Sequence, residues 1–166
     1  MFSRLLSAFA ALAGAVLLSQ FPAFYDQYVQ RLGGRLDQAR IEVGRIEGAA
    51  RAERMTVGQY IDAFLTSETS AHRRQGRILG EQVADLERLR SALVALAPAR
   101  AVQRPGRFAR HADAQLARAT LDNFRPSVPL RPEGFVYAFA GFVAGLLVAR
   151  GAERAASAVR RRRRPA

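Results

Sequence analysis

The chain has no cysteine, no lysine and only two histidines among its 166 residues. Without cysteine there is no disulfide framework, no thiolate chemistry and no cysteine-based metal site. His72 and His111 stand alone, far from the three or four converging ligands that zinc needs. No glycine-rich phosphate loop is present either: Gly33-Gly34 has neither a strand before it nor a Lys-Ser/Thr after it. Formal charge is missing from two long stretches. Between Arg4 and Asp26 lie 21 uncharged, mostly apolar residues, and between Glu133 and Arg150 lie another 16.

A membrane helix needs roughly 20 apolar residues. The first stretch meets that requirement. The second covers only about 24 Å at 1.5 Å per residue, and spanning requires Arg150 to snorkel or the helix to continue through Gly151, Ala152 and Ala155. A secretory signal is the competing reading of the first stretch, with Ala11-Leu12-Ala13 or Ala13-Gly14-Ala15 as its cleavage site. The apolar run continues past both sites through Val16, Leu17, Leu18 and Phe21, which favours an uncleaved anchor. Phe21, Phe24, Tyr25 and Tyr28 follow on one side of a continuing helix, as aromatics do at a membrane–water interface. Pro22 implies a mild kink. Phe124 to Pro132, with three prolines, reads as an extended approach to the second span, and Pro132-Glu133 suits a helix start.

The 26 basic residues are all Arg and the formal charge is +12. Its distribution matters more than its total. From Asp26 to Glu133 there are 18 Arg against 13 acids, whereas the tail from Arg150 holds seven Arg against Glu153 alone. Arg160, Arg161, Arg162, Arg163 and Arg164 are therefore expected to meet anionic lipid head groups. Nucleic acid is not expected as a partner, because no aromatic interleaving or recognition helix accompanies the run. Positive charge beside the second span marks the cytoplasmic side, and two spans then put both termini in the cytoplasm and the middle outside. The expected location is a bacterial inner membrane.

The middle reads as all helical. Val29, Leu32, Leu36, Ala39, Val43, Ile46 and Ala50 recur at alternating spacings of three and four, a heptad-like seam of coiled-coil type. Residues 70–96 form a second long helix with Leu79, Val83, Leu86, Leu89, Leu93 and Leu96 on one side. Antiparallel pairing of these two helices is the expected core. Thr56 and Gln59 form a capping box for a short helix between them. Residues 98–106 read as a loop and 107–124 as one further helix. The expected organisation is a first transmembrane helix over 1–25, a helical extramembrane domain over 26–131, a second transmembrane helix over 132–152 and a basic tail over 153–166.

Two small pairs, Ala10 with Gly14 and Gly141 with Gly145, occupy small-x-x-x-small positions in the spans and would let helix backbones approach, within the chain or between copies. No span carries a formal charge to serve an ion pathway. No catalytic residue, metal ligand or cofactor is assigned. The reading is a non-enzymatic integral membrane protein, a structural or accessory subunit with a protein partner or a second copy. The alternative is a small enzyme or transporter module acting only as an oligomer, with Glu68, His72 and Arg73 as its local cluster.

Ser19-Gln20-Phe21-Pro22-Ala23-Phe24, Tyr28-Val29-Gln30-Arg31-Leu32-Gly33-Gly34, Phe124 through Leu130 and Glu133-Gly134 together resemble a bacterial family, domain of unknown function 2937, of small membrane proteins. Ala23 stands where that pattern has an acid and Arg131 where it often has a hydroxyl, which alters local capping. The resemblance implies two spans and membrane residence, with no assigned activity or catalytic residue.

Overall fold

The computed structural model describes residues 2–126 and 132–162, and it is all helical there. Its elements are α1 (Phe2–Ser19), α2 (Phe21–Ala52), α3 (Val57–Leu65), α4 (Ser70–Leu96), a 3-10 turn (Ala101–Gln103), α5 (Arg104–His111), α6 (Ala114–Asp122) and α7 (Pro132–Arg162). They fall into two compact units, one drawn from Met1–Asp26 and Asn123–Ala166, the other from Gln27–Asp122.

In the first unit α1 packs along α7. The 18 residues of α1 cover about 27 Å at the α-helical rise, close to the ~30 Å hydrocarbon thickness of a bilayer. Its end is set by Pro22, which has no N–H and whose ring would crowd the carbonyl four residues earlier. The chain therefore leaves the helix at Gln20, one residue before the α2 start. The Gln20 N–H donates to the Leu17 carbonyl at 3.2 Å and the Ser19 hydroxyl to that of Val16 at 2.7 Å, so the break leaves these groups bonded. The kink read from Pro22 is thus an interruption two residues upstream of it. The helix α7 has 31 residues, and its apolar part, Gly134–Ala152, supplies the 19 that the second stretch needed. The proline-rich approach over residues 127–131 lies outside the described residues.

Both helices turn apolar side chains outward. Phe9, Leu12 and Leu17 on α1 and Phe135, Phe139 and Val148 on α7 are all more than three-fifths exposed. Taking a side chain of this size out of water gains about 1.5–3 kcal/mol, so these six alone favour a hydrocarbon surrounding by on the order of 10 kcal/mol. Two helices are thus long and apolar enough to cross a membrane.

In the second unit the seam on α2 is buried as a continuous line: Leu32, Leu36, Ala39, Val43, Ile46 and Ala50. Its first member differs from the sequence reading, since Tyr28 is fully buried and Val29 only half so. The end of α2 is a Schellman turn. Met55 N–H reaches the Ala50 carbonyl at 2.8 Å and Arg54 N–H that of Arg51 at 3.0 Å. Arg54 occupies the left-handed position, φ 55°, where glycine is usual. The capping box forms as read: the Thr56 hydroxyl accepts from Gln59 N–H, and Gln59 Oε1 from Thr56 N–H at 2.9 Å. It starts α3, which lies against α4 at Gly76, where an added Cβ would come within 3.0 Å of Leu65.

After Pro98 the structure departs from the sequence reading twice. The expected loop contains a 3-10 turn and the first residues of α5, with Pro105 in the opening turn where it needs no N–H partner. The single helix expected over 107–124 is two helices. Ala112 is extended (ψ 136°), and the Asp113 carboxylate accepts from Leu116 N–H at 2.7 Å, restarting the chain as α6.

Candidate functional site

The small residues noted in the spans lie against one another. A Cβ built on Gly14 would stand 2.5 Å from the Gly141 carbonyl oxygen. One on Gly141 would be 2.7 Å from the Gly14 carbonyl carbon and 2.9 Å from Leu18 Cβ. One on Gly145 would meet the Ala10 carbonyl and come within 2.8 Å of Ala11 Cα. At each position only hydrogen fits. Helices that lipid cannot drive together by hydrophobicity gain instead from dispersion at such short backbone separations. Ala11, beneath Gly145, is completely buried.

The aromatics separate into two settings. Phe21 packs its ring 5.5 Å from Tyr137 and 6.0 Å from Tyr25, and Phe24 sits edge-on to Phe124 at 6.0 Å. Tyr28 belongs to the other unit. Its ring meets Phe108 edge-to-face at 5.0 Å, and its hydroxyl oxygen accepts from Asp113 N–H at 2.9 Å. This group lies beyond the charge-free stretch, which ends before Asp26. Burial pushes its phenol above the usual value; the Asp113 N–H and the Arg35 charge pull the other way. Tyr28 thus closes the α5–α6 break on α2, a role that aromatic spacing gave no means of reading.

Arginine completes helix ends. The last four carbonyls of an α-helix have no partner within it. Arg107 Nη1 donates to the Ala95 carbonyl in the last turn of α4 at 2.8 Å, and Arg31 Nη1 to Ala119 in the last turn of α6. Arg73 Nη1 serves the turn after α3, reaching the Ser67 carbonyl at 2.8 Å and the Glu68 carbonyl at 2.6 Å. The Ser67 hydroxyl bonds His72 Nδ1 at 3.1 Å. The Glu68, His72 and Arg73 cluster is therefore built as a turn lock on an exposed surface. Exposed ion pairs, such as Arg40–Asp37 at 2.9 Å, run along the helices at i,i+3 or i,i+4. Each contributes at most a few tenths of a kcal/mol.

Among the described residues no three His, Asp or Glu side chains approach as metal ligands do. A cleft of about 390 Å³ opens between α2, α4 and the end of α5. The helix α7 carries Arg160, Arg161 and Arg162 in its last turn; Arg163 and Arg164 lie outside the described residues. Gly33 and Gly34 face open space inside a continuous helix.

These features define an all-α protein in which two candidate membrane-spanning helices flank a helical core, and the spans support a place in a membrane. The chain belongs to the family described as Protein of unknown function (DUF2937), whose model matches residues 2–163. No curated protein and no solved structure matches it.

Proposed function

We propose that the chain is a non-enzymatic, two-span protein of a bacterial inner membrane, acting as a structural or accessory subunit. The observation that carries this reading is the backbone-to-backbone seating of Gly14 on Gly141 and Ala10 on Gly145, a geometry suited to holding a helix hairpin in lipid. In the middle unit, α2 and α4 run antiparallel as a paired-helix core, the α2 seam against the leucine side of α4. The burial of that seam and of Leu79 and Leu96, and a cleft lined by both helices, support this pairing.

Both termini are cytoplasmic and residues 26–131 exported, with Arg160 to Arg164 against anionic head groups. The support is the charge asymmetry beside the second span. The faces left over, including exposed Ile41 on α2 and Ile78 and Val94 on α4, are offered to a protein partner or a second copy. Reporter fusions at residue 100 and at the C-terminus test the topology: an active cytoplasmic reporter at residue 100 rules it out. Crosslinking in gentle detergent followed by mass spectrometry tests the subunit role, and recovery only as a monomer with no reproducible partner rules that out.

A further inference from the structure

The helix α5 lacks the means to be helical alone. Its eight residues are too few for a helix to stand by itself in water, and Gly106 lowers the propensity of its interior further. Arg104, Arg107 and Arg110 follow one another at a spacing of three, where like charges repel along a helix. No acid stands in the sequence between Glu87 and Asp113 to offset them. Gln103 at its start supplies no side-chain cap, and none of its residues is buried. By contrast α3, which is also short and unburied, has the Thr56–Gln59 capping box. The helicity of α5 therefore depends on what it touches. Arg107 Nη1 reaches the Ala95 carbonyl at 2.8 Å, Arg104 Nε that of Ala99 at 3.4 Å, and the Phe108 ring meets that of Tyr28 at 5.0 Å. An extended residue bounds the segment at each end, Arg100 (φ −67°, ψ 154°) before the 3-10 turn and Ala112 (φ −76°, ψ 136°) after α5.

We propose that residues 101–111 form a lid that swings away from the end of α4 on Arg100 and Ala112, and that its opening widens the cleft between α2 and α4. Arg110 and His111 at the end of the lid line that cleft together with Leu32, Leu89 and Ala92, so the swing removes part of its wall. Two fastenings of different kinds hold the lid shut. On the α4 side the Arg107 guanidinium donates to a carbonyl in the last turn, a charge-assisted bond that the dipole of α4 favours. On the α2 side Tyr28 is a fixed post, completely buried. Its ring holds Phe108, and its hydroxyl accepts from Asp113 N–H at 2.9 Å, pinning the backbone next to the Ala112 hinge. Opening exchanges polar bonds for bonds to water and gives up few buried apolar contacts, because nothing in α5 is buried. Segments of that kind open at far lower cost than the core, here the α2 line from Leu32 to Ala50.

Two readouts on the full chain in neutral detergent test this. Hydrogen exchange read by mass spectrometry follows the lid. Thiol modification follows the cleft, since a chain without cysteine carries a single reactive thiol wherever one is placed. Peptides covering 101–112 should exchange at least tenfold faster than those covering 32–50. Arg107→Gln and Tyr28→Phe each remove one fastening and should speed exchange over 101–112 at least threefold, leaving 32–50 and 57–65 unchanged. In an Ala92→Cys chain, with its probe in the half-buried floor of the cleft, the same two substitutions should raise the rate of modification by iodoacetamide at least threefold. In an Ala50→Cys chain, with its probe 1% exposed on α2, they should not change it. Arg74→Gln, an equal loss of charge on an exposed part of α4, should alter neither readout. Acceleration of all segments alike would mean that the variants act through global unfolding. Unchanged modification of the Ala92→Cys chain would mean that α5 frays without opening the cleft. Either result overturns the proposal.

Discussion

Gly141→Ala adds a single methyl group to the seat between α1 and α7, and its effect can be worked from the structure. In an open helix the change is favourable, since alanine exceeds glycine in helix propensity by about 0.8–1.0 kcal/mol. Here the new Cβ would stand 2.7 Å from the Gly14 carbonyl carbon and 2.9 Å from Leu18 Cβ, against the 3.5–4.0 Å at which carbon atoms rest. Two backbones meet at this point, so no side-chain rotation relieves the clash and the helices must separate by about 1 Å. Overpacking of this kind costs about 1–3 kcal/mol. Separation also loses the dispersion contacts at Gly145 and Ala10 in the same seat. The expected net loss is about 1–2 kcal/mol, a five- to thirtyfold fall in the stability constant of the hairpin. Denaturation of the purified chain from mild detergent by increasing sodium dodecyl sulfate, followed by helical circular dichroism, measures it. Gly151→Ala is the control, because Gly151 lies on the same helix and faces open space; it should be neutral or slightly stabilising. Gly14→Ala should be destabilising alone and add less than its own cost in the Gly141→Ala background, since both act on one contact. Equal behaviour of Gly141→Ala and Gly151→Ala would refute the reasoning.

Arg54→Gly should stabilise the chain by about 0.5–1 kcal/mol, because the left-handed Schellman position penalises a side chain; a fall in the unfolding midpoint would contradict this. Asp113→Ala removes the cap that restarts the chain at α6 and should cost about 0.5–2 kcal/mol, with Asp113→Asn retaining most of the stability in the same melt. The raised Tyr28 phenol implies a pH dependence of definite sign. The folded form holds its proton above the unfolded value of about 10, so this contribution is complete below that pH and is lost as pH rises toward the folded value. Tyr28→Phe should flatten the decline in an alkaline stability series. Replacing Arg160 to Arg164 by Gln should weaken binding of a C-terminal peptide to anionic vesicles and make it less sensitive to salt, through the loss of screened attraction; an unchanged affinity across the salt series would point to another partner.

Much of the architecture was legible because it rests on periodicity and composition. Charge-free runs located both apolar helices, alternating spacings of three and four marked the buried line on α2, and Thr56 with Gln59 marked the start of α3. The small pairs Ala10, Gly14, Gly141 and Gly145 stood out in the sequence, but which backbone each would meet is a tertiary fact. The break between α5 and α6 was missed because no Gly or Pro announces it. Asp113 just ahead of Ala114 was the available signal, since aspartate is a favoured helix cap. The burial of Tyr28 was illegible for a different reason: its hydroxyl answers an N–H that becomes free only once the chain breaks there. The cleft was likewise out of reach, because its lining comes together only when α2, α4 and α5 converge.

The arginines that close helix ends put one kind of side chain to two electrostatic uses with opposite sensitivities. Arg31, Arg73 and Arg107 donate to neutral carbonyls at contact, where mobile ions have little room to intervene. In the proposed contact with anionic head groups the tail arginines would act on charge at a distance, screened over about 8 Å at physiological ionic strength. On that proposal ionic strength would be a dial that turns the tail's attachment up or down while leaving the helical middle in place. A lysine in the first role would keep the charge and lose the planar fork, whereas in the second it would serve as well. That division gives the replacement of arginine by lysine a diagnostic use in this chain: it separates the residues that hold the fold from those that only supply charge.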